Sequence, residues 1–382
     1  MNLAPRGAVL PRSAHISTRR GESPKFCAGG VEMRFFIFLL AAAFAVLSCV
    51  PAPCSARAAL PEKIERAAVA GILPFPSVLC LYLGSAEKII AIPPASMSAA
   101  REGLLGELFP GLLRAETSFA SGTGVNVEEL LTLRPDVVFY LEADKVTGRA
   151  LENAGLAGVP VSPSKWGYDV LRTYEEWIKI LSEIFPERAE VGKRAAAYGR
   201  RALELTKARA ALIPQSERRK VLFIVRDENG RIVTSGRNFF GQYWCESIGA
   251  ENAAAEITAE RSNAVVTMEQ IYKWNPDVIF ITNFTKLAPR DLLSAPEWKP
   301  VEAVRRGAVY KMPLALYRTY TPGPDAPLTL LWLARAVYPE SFGDIDLPKQ
   351  AVKYYKEIFG LDVSAERARE IFAAPRSGGA GR

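Results

Sequence analysis

The sequence predicts an α/β protein of two similar lobes, each built on a mostly parallel central sheet, joined by one long bridging α-helix. Three observations predict this. A segment repeats: Val125–Tyr140 (VNVEELLTLRPDVVFY) returns as Val265–Phe280 (VVTMEQIYKWNPDVIF). Each copy opens a short amphipathic helix with a glutamate, turns at Pro-Asp and continues as an all-apolar strand. The copies, aligned at Glu128 and Glu269, are one domain apart, which is too far for a solenoid repeat and fits two lobes. Between them Pro186–Leu212 is a long helical pattern rich in Ala, Arg, Lys and Glu, closed by Pro214. Two lobes leave a cleft, and clefts are where small molecules bind.

The elements follow in order. Residues 59–185 read as the N-terminal lobe, with strands at Arg66–Ile72, Lys88–Ile92, Asp136–Tyr140 and Val159–Ser162 and helices between them. These short apolar runs without polar alternation suit a parallel sheet covered on both faces. Residues 186–216 form the bridge, whose modest core face is expected at Leu203 and Leu205. Residues 217–382 restart the pattern. Strands are expected at Val221–Val225, Ile232–Thr234, Val278–Thr282 and Ala308–Met312, and helices at Phe239–Ile248, Leu328–Tyr338 and Lys349–Phe359. The tail after Ala374 is rich in Ser, Gly and Arg and is expected to fray.

A chain of 382 residues that is 49% hydrophobic can bury two ordinary cores. The net charge of +7 does not mark a nucleic-acid binder. Part of it is Arg6, Arg12, Arg19, Arg20 and Lys25 against Glu22 and Glu32, and the rest is spread among acidic residues on helices. No basic run is interleaved with aromatics.

Residues 1–32 show no periodicity and read as an over-called start. Residues 33–58 read as a signal peptide: Met33-Arg34, then the apolar run Phe35–Leu47, which is short for a bilayer span, then small residues. Two processing readings stand. Ala56-Arg57-Ala58 fits a signal peptidase site, and Val46-Leu47-Ser48-Cys49 resembles a lipobox that would lipidate Cys49. Both place the mature protein outside the cytoplasmic membrane. Beyond Ala58 only Cys80 and Cys245 remain, one per lobe, which favours buried thiols over a disulfide framework.

The paired glutamate, Pro-Asp and apolar-strand segments resemble the helical-backbone class (class III) of periplasmic substrate-binding proteins, which serve ABC importers of ferric siderophores, haem and cobalamin. Ser235–Phe240 followed by Ile248–Asn252 looks like the family's second-lobe glycine turn, helix and exit. Trp298–Tyr310 looks like its late Trp…Ala-Val-x-x-Gly-x-Val-Tyr segment. The likeness covers about residues 60–360. Gly71–Pro76 departs from the family's usual opening loop, so no ligand contact is carried over there. The resemblance implies an extracytoplasmic monomer that captures an iron chelate or corrinoid and delivers it to an ABC permease dimer. It further implies that Glu128 and Glu269, one per lobe, dock into the permease, with Glu129 taking the role if the register slips by one. Two exposed carboxylates at fixed separation can orient a partner through charge-assisted bonds. Close alternatives are a haem receptor using a tyrosine, and an extracytoplasmic ligand sensor or scaffold.

Residues just past the carboxyl ends of the strands should line the cleft. In the first lobe these are Tyr140 and Glu142, then Trp166 and Tyr168. In the second they are Arg226, Arg237, Asn238, Phe239, Asn283 and finally Tyr317, Arg318 and Tyr320. Aromatic rings beside guanidinium groups suit a flat anionic ligand. The single histidine, His15, lies in the segment read as untranslated, which argues against zinc or manganese ligation, an axial histidine to haem and Ser-His-Asp chemistry. No GxxxxGK[ST] loop occurs, and Gly122-Thr123-Gly124 lacks the context of a dinucleotide loop. The expectation is therefore a binding protein that is not an enzyme and needs no cofactor or resident metal.

Overall fold

The computed structural model describes residues 60–373, except 122–123, 229 and 260–262. The chain divides into Met1–Cys54 and Ser55–Arg382, and everything below concerns the second part. The signal peptide, Cys49 and the tail after Ala374 lie outside the described residues.

The Pro-Asp turn organises both lobes in the same way. Asp136 accepts the Glu65 and Arg66 amides (2.8 Å each), and Asp277 accepts the Lys220 amide (2.9 Å). Each aspartate thereby ties the start of the repeated strand to its neighbour. Arg134 and Asn275, one residue before each proline, share left-handed backbone (φ 47° and 44°), the turn that ends each short helix. The first sheet is parallel, in the order Ile89–Ala91, Ala67–Ala70, Val137–Leu141, Gly158–Val161. The second has Lys220–Glu228, Val278–Ile281 and Val309–Lys311 parallel, with Arg231–Ser235 and Asn263–Val266 antiparallel on its other side. The repeated strand is second to the same partner in both: Val137 pairs Ala67, and Val278 pairs Val221.

Alternation along these strands divides the core into layers. Val137 and Phe139, with Val278 and Phe280, point inward to one core that runs through both lobes and the helices between them. Val138 faces an outer layer with Leu130 and Leu151, and Ile279 and Ile281 face another with Ile271. Full burial of Phe139 and Phe280 is worth about 2–3 kcal/mol each.

A 3-10 turn at Pro186–Arg188 leads into helix Ala189–Ala210. Its buried stripe is Val191, Ala195, Gly199, Ala202, Thr206 and Ala210, at helical spacing. The expected leucine face is corrected here: Leu205 is exposed and Leu203 only partly buried. Small side chains let helix Ala326–Val337 approach closely, which large ones would prevent. The C-terminal pattern divides into Leu347–Tyr354, one π-helical turn at Tyr355–Phe359, and a further helix, Ala365–Phe372. Among the described residues no helix is long and apolar enough to cross a membrane.

Candidate functional site: the interlobe cleft and the two poles

Both repeated helices are capped alike. Asn126 Oδ1 accepts the Glu129 amide (3.2 Å), and Thr267 Oγ1 accepts the Gln270 amide (3.4 Å), with Gln270 returning a bond to the Thr267 amide. Glu128 and Glu269 therefore occupy the same second helical position, and Glu129 aligns with Gln270. That alignment removes the slipped register. Both glutamates are exposed and neither forms an ion pair among the described residues. A hydrogen bond from the Thr267 side chain holds the Glu269 carboxyl below the usual range.

Between the lobes the N-terminal wall is the loop after Gly158–Val161. The Trp177 indole donates to the Ser162 carbonyl (2.9 Å) and anchors its start, and Lys165 lies 3.9 Å from Glu142 and over the Trp166 ring. Gly167 and Tyr168 follow in left-handed backbone (φ 63° and 62°), a conformation strained for a tyrosine. This turn aims the Tyr168 ring across the cleft onto Phe239 (5.1 Å) and Phe240 (5.3 Å). A second interlobe contact is backbone to backbone. The Leu104 amide donates to the Ala315 carbonyl (2.8 Å), and a Cβ on Gly103 would sit 2.5 Å from that oxygen.

The C-terminal wall is formed by the loops after Val278–Ile281 and Val309–Lys311. Lys311 Nζ donates to the carbonyls of Thr282 (2.9 Å), Thr285 (2.7 Å) and Leu287 (2.8 Å), fixing the first loop. That loop presents Phe284, on whose ring the Arg318 guanidinium stacks at 4.8 Å, with the Tyr317 ring at 5.7 Å. Arg318 is half-buried and has no carboxylate partner among the described residues. Tyr317 is buried, belongs to none of the three hydrophobic cores, and its hydroxyl lacks a well-formed hydrogen bond. Burial pushes that phenol up to about 12 although Arg318 pulls the other way. Asn283 donates to the Met312 carbonyl, and its Oδ1 is buried without a donor.

Tyr168 and Phe239 thus meet between the lobes, Trp166 lies on the same first-lobe loop as Tyr168, and Tyr317 and Arg318 sit with Phe284 on the second-lobe loops. Five other expected residues are placed elsewhere. Tyr140 follows Val138 to the outer face, where its ring packs on Gly148 and Gly158. Arg226 lies inside a strand that runs on to Glu228, and pairs with Glu228 at 3.2 Å. The Asn229-Gly230 dipeptide is the hairpin signal that predicts this extension. Arg237 and Asn238 donate to the carbonyls of Ala255 and Thr258 on their own lobe. They follow an antiparallel strand, whereas the carboxyl-end rule presumes parallel ones. Tyr320 is core: its hydroxyl accepts the Gly241 amide (3.0 Å) and its ring packs on Phe223. Sequence reasoning missed Phe284, Lys311 and Asp325; an aspartate just before an apolar helix is the signal for the last. No group of three or more His, Cys, Asp or Glu able to hold a metal ion occurs among the described residues.

Two α/β lobes that each carry the same glutamate-bearing helix, with aromatic rings meeting between them, have the architecture of a solute-binding protein. The chain belongs to the periplasmic binding protein family, whose model matches residues 80–316. It is 25% identical over 263 residues to the molybdate-binding protein MolA of Haemophilus influenzae, covering 64% of this chain and 72% of that one. A periplasmic solute-binding protein from Veillonella parvula superposes with a TM-score of 0.72 at 25% identity, over 82% of this chain and 93% of the other. Molybdate-bound MolA superposes at 0.67 and 21% identity, over 80% and 96%, and at that identity shows the fold. These relatives are solute-binding proteins.

Proposed function

We propose that the protein captures a compact anion, a metal oxyanion of the molybdate type, between its lobes and hands it to an ABC permease. The observation that carries this reading is Arg318: a half-buried guanidinium stacked on Phe284, with no carboxylate partner among the described residues, beside the buried Tyr317 hydroxyl. A planar fork of donors with no internal anion is suited to an external oxyanion. Contact of Tyr168 with Phe239 across the lobes favours a few-atom ion over a macrocycle, and likeness to MolA agrees. The expected iron chelate or corrinoid stays as the second reading, supported by the partly exposed Trp166 with Lys165 over its ring. Docking would run through Glu128 and Glu269, and no catalysis or cofactor is invoked.

Tryptophan-fluorescence titration with molybdate, tungstate, a ferric siderophore panel, haem and cobalamin tests the reading. Quenching by molybdate that is lost in Arg318→Ala supports it. Quenching by a chelate alone replaces it with the second reading. No response to any ligand favours the sensor or scaffold.

A further inference from the structure

Asp325 is a carboxylate that the cleft reading does not use. It is 3% exposed and has no cationic partner among the described residues. One oxygen accepts the Leu316 amide (2.9 Å) and the other accepts the Tyr355 hydroxyl (2.6 Å). Beside it, Tyr354 donates to the Pro324 carbonyl (2.7 Å), and its ring packs on Tyr198 of the bridging helix at 4.5 Å. Two consecutive tyrosines reach two consecutive loop residues, although successive residues of an α-helix point about 100° apart. The π turn beginning at Tyr355 falls where this happens, and such turns often occur at functional sites. Around Asp325 the facing titratable groups are Tyr355, Tyr354 and Tyr174, all neutral phenols. A buried carboxylate is costly unless hydrogen-bonded, as both oxygens of Asp325 are, and burial here pushes the acid up to about 6.

Leu316, whose amide Asp325 holds, lies immediately before Tyr317 and Arg318. We propose that Asp325 and Tyr355 are positioning residues of the cleft, locking the backbone at Leu316 so that Tyr317 and Arg318 are held ready for cargo. This rests on the reading that Arg318 meets the cargo. The lock also connects the cleft wall to the C-terminal helices, which are far from it in sequence.

The test combines a cargo-free and a cargo-dependent measurement on the purified protein. Hydrogen exchange of peptides covering residues 313–320, without ligand, is compared in wild type, Asp325→Asn, Asp325→Ala and Tyr355→Phe. Molybdate affinity is measured calorimetrically in the same set plus Arg318→Ala. Asp325→Ala is expected to exchange at least about tenfold faster at Leu316 and to bind at least about tenfold more weakly, whereas Asp325→Asn, which keeps one acceptor for the amide, recovers most of both. Tyr355→Phe, which opens no cavity, serves if the alanine variant fails to fold, and should show the same effects in smaller degree. Wild-type exchange in folded Asp325→Ala and Tyr355→Phe would overturn the lock. A lower melting temperature with unchanged affinity would make the pair merely structural. Unchanged molybdate binding in Arg318→Ala, with fast exchange in Asp325→Ala, would overturn the cleft reading and leave the lock without a cargo to serve.

Discussion

Replacing Lys311 by Met keeps the side chain's apolar stem and removes its ammonium group. Three carbonyls, of Thr282, Thr285 and Leu287, then lose a donor 2.7–2.9 Å away. Bonds to a charged donor contribute about 1.5–3 kcal/mol each, but relief of the ammonium's burial and access of water to a partly exposed site offset much of the sum, leaving a net loss of about 2–3 kcal/mol. Burial, partly opposed by Asp291, depresses the lysine from 10.5 to about 8. The folded state then holds this proton more weakly than the unfolded chain, so wild-type stability should rise as pH climbs from about 8 towards 10.5. After discounting for partial exposure this rise is about 1–2 kcal/mol, and it should be missing from the variant. Urea denaturation of both proteins at pH 7 and across pH 8–10 reads the two effects together. Because the loop presents Phe284 to Arg318, molybdate affinity should fall with it. A stability change within about 0.5 kcal/mol, or the same pH slope in both proteins, would refute the reasoning.

Three further outcomes are expected. Gly103→Val drives a side chain against the Ala315 carbonyl and strains the Leu104–Ala315 bond, so it should destabilise by about 1–3 kcal/mol in a thermal melt, and a neutral result would disprove the close approach. Cys80 and Cys245 are fully buried and their thiols are pushed up by burial, so peptide mapping should find neither alkylated by iodoacetamide until denaturant is added. Glu128→Ala and Glu269→Ala should each lower transport into vesicles by about tenfold with molybdate affinity unchanged, and a loss of affinity instead would place them outside the docking role.

What was legible in the sequence was what neighbouring residues decide. The glutamate that opens the short helix, the Pro-Asp turn and the apolar strand lie within 16 residues in each copy. Adjacent residues mark all of them, although Asp136 and Asp277 bond to amides 57–71 residues away, so reading the pattern twice gave the lobes. Tyr140 could have been placed by the same means, because alternation from Phe139 sends it outward. Arg237 and Tyr320 could not. Their partners, Ala255 and Gly241, are 18 and 79 residues away, and no periodicity reports a bond to a distant carbonyl or amide. The Asp325–Tyr355 and Lys311 bonds are of the same kind: single polar side chains that reach back to loops other elements had already shaped.

That division also has a functional sense. Under the proposed docking, a symmetric permease dimer would present two equal surfaces, and Glu128 and Glu269, at the same position in their helices, would match them. The proposed cargo would be a single ligand between two walls, with no reason for the walls to agree. One wall is a strained aromatic turn at Gly167-Tyr168, and the other is an arginine set on a loop held by Asp325. The cleft, where the copies have diverged, had to be found from distances.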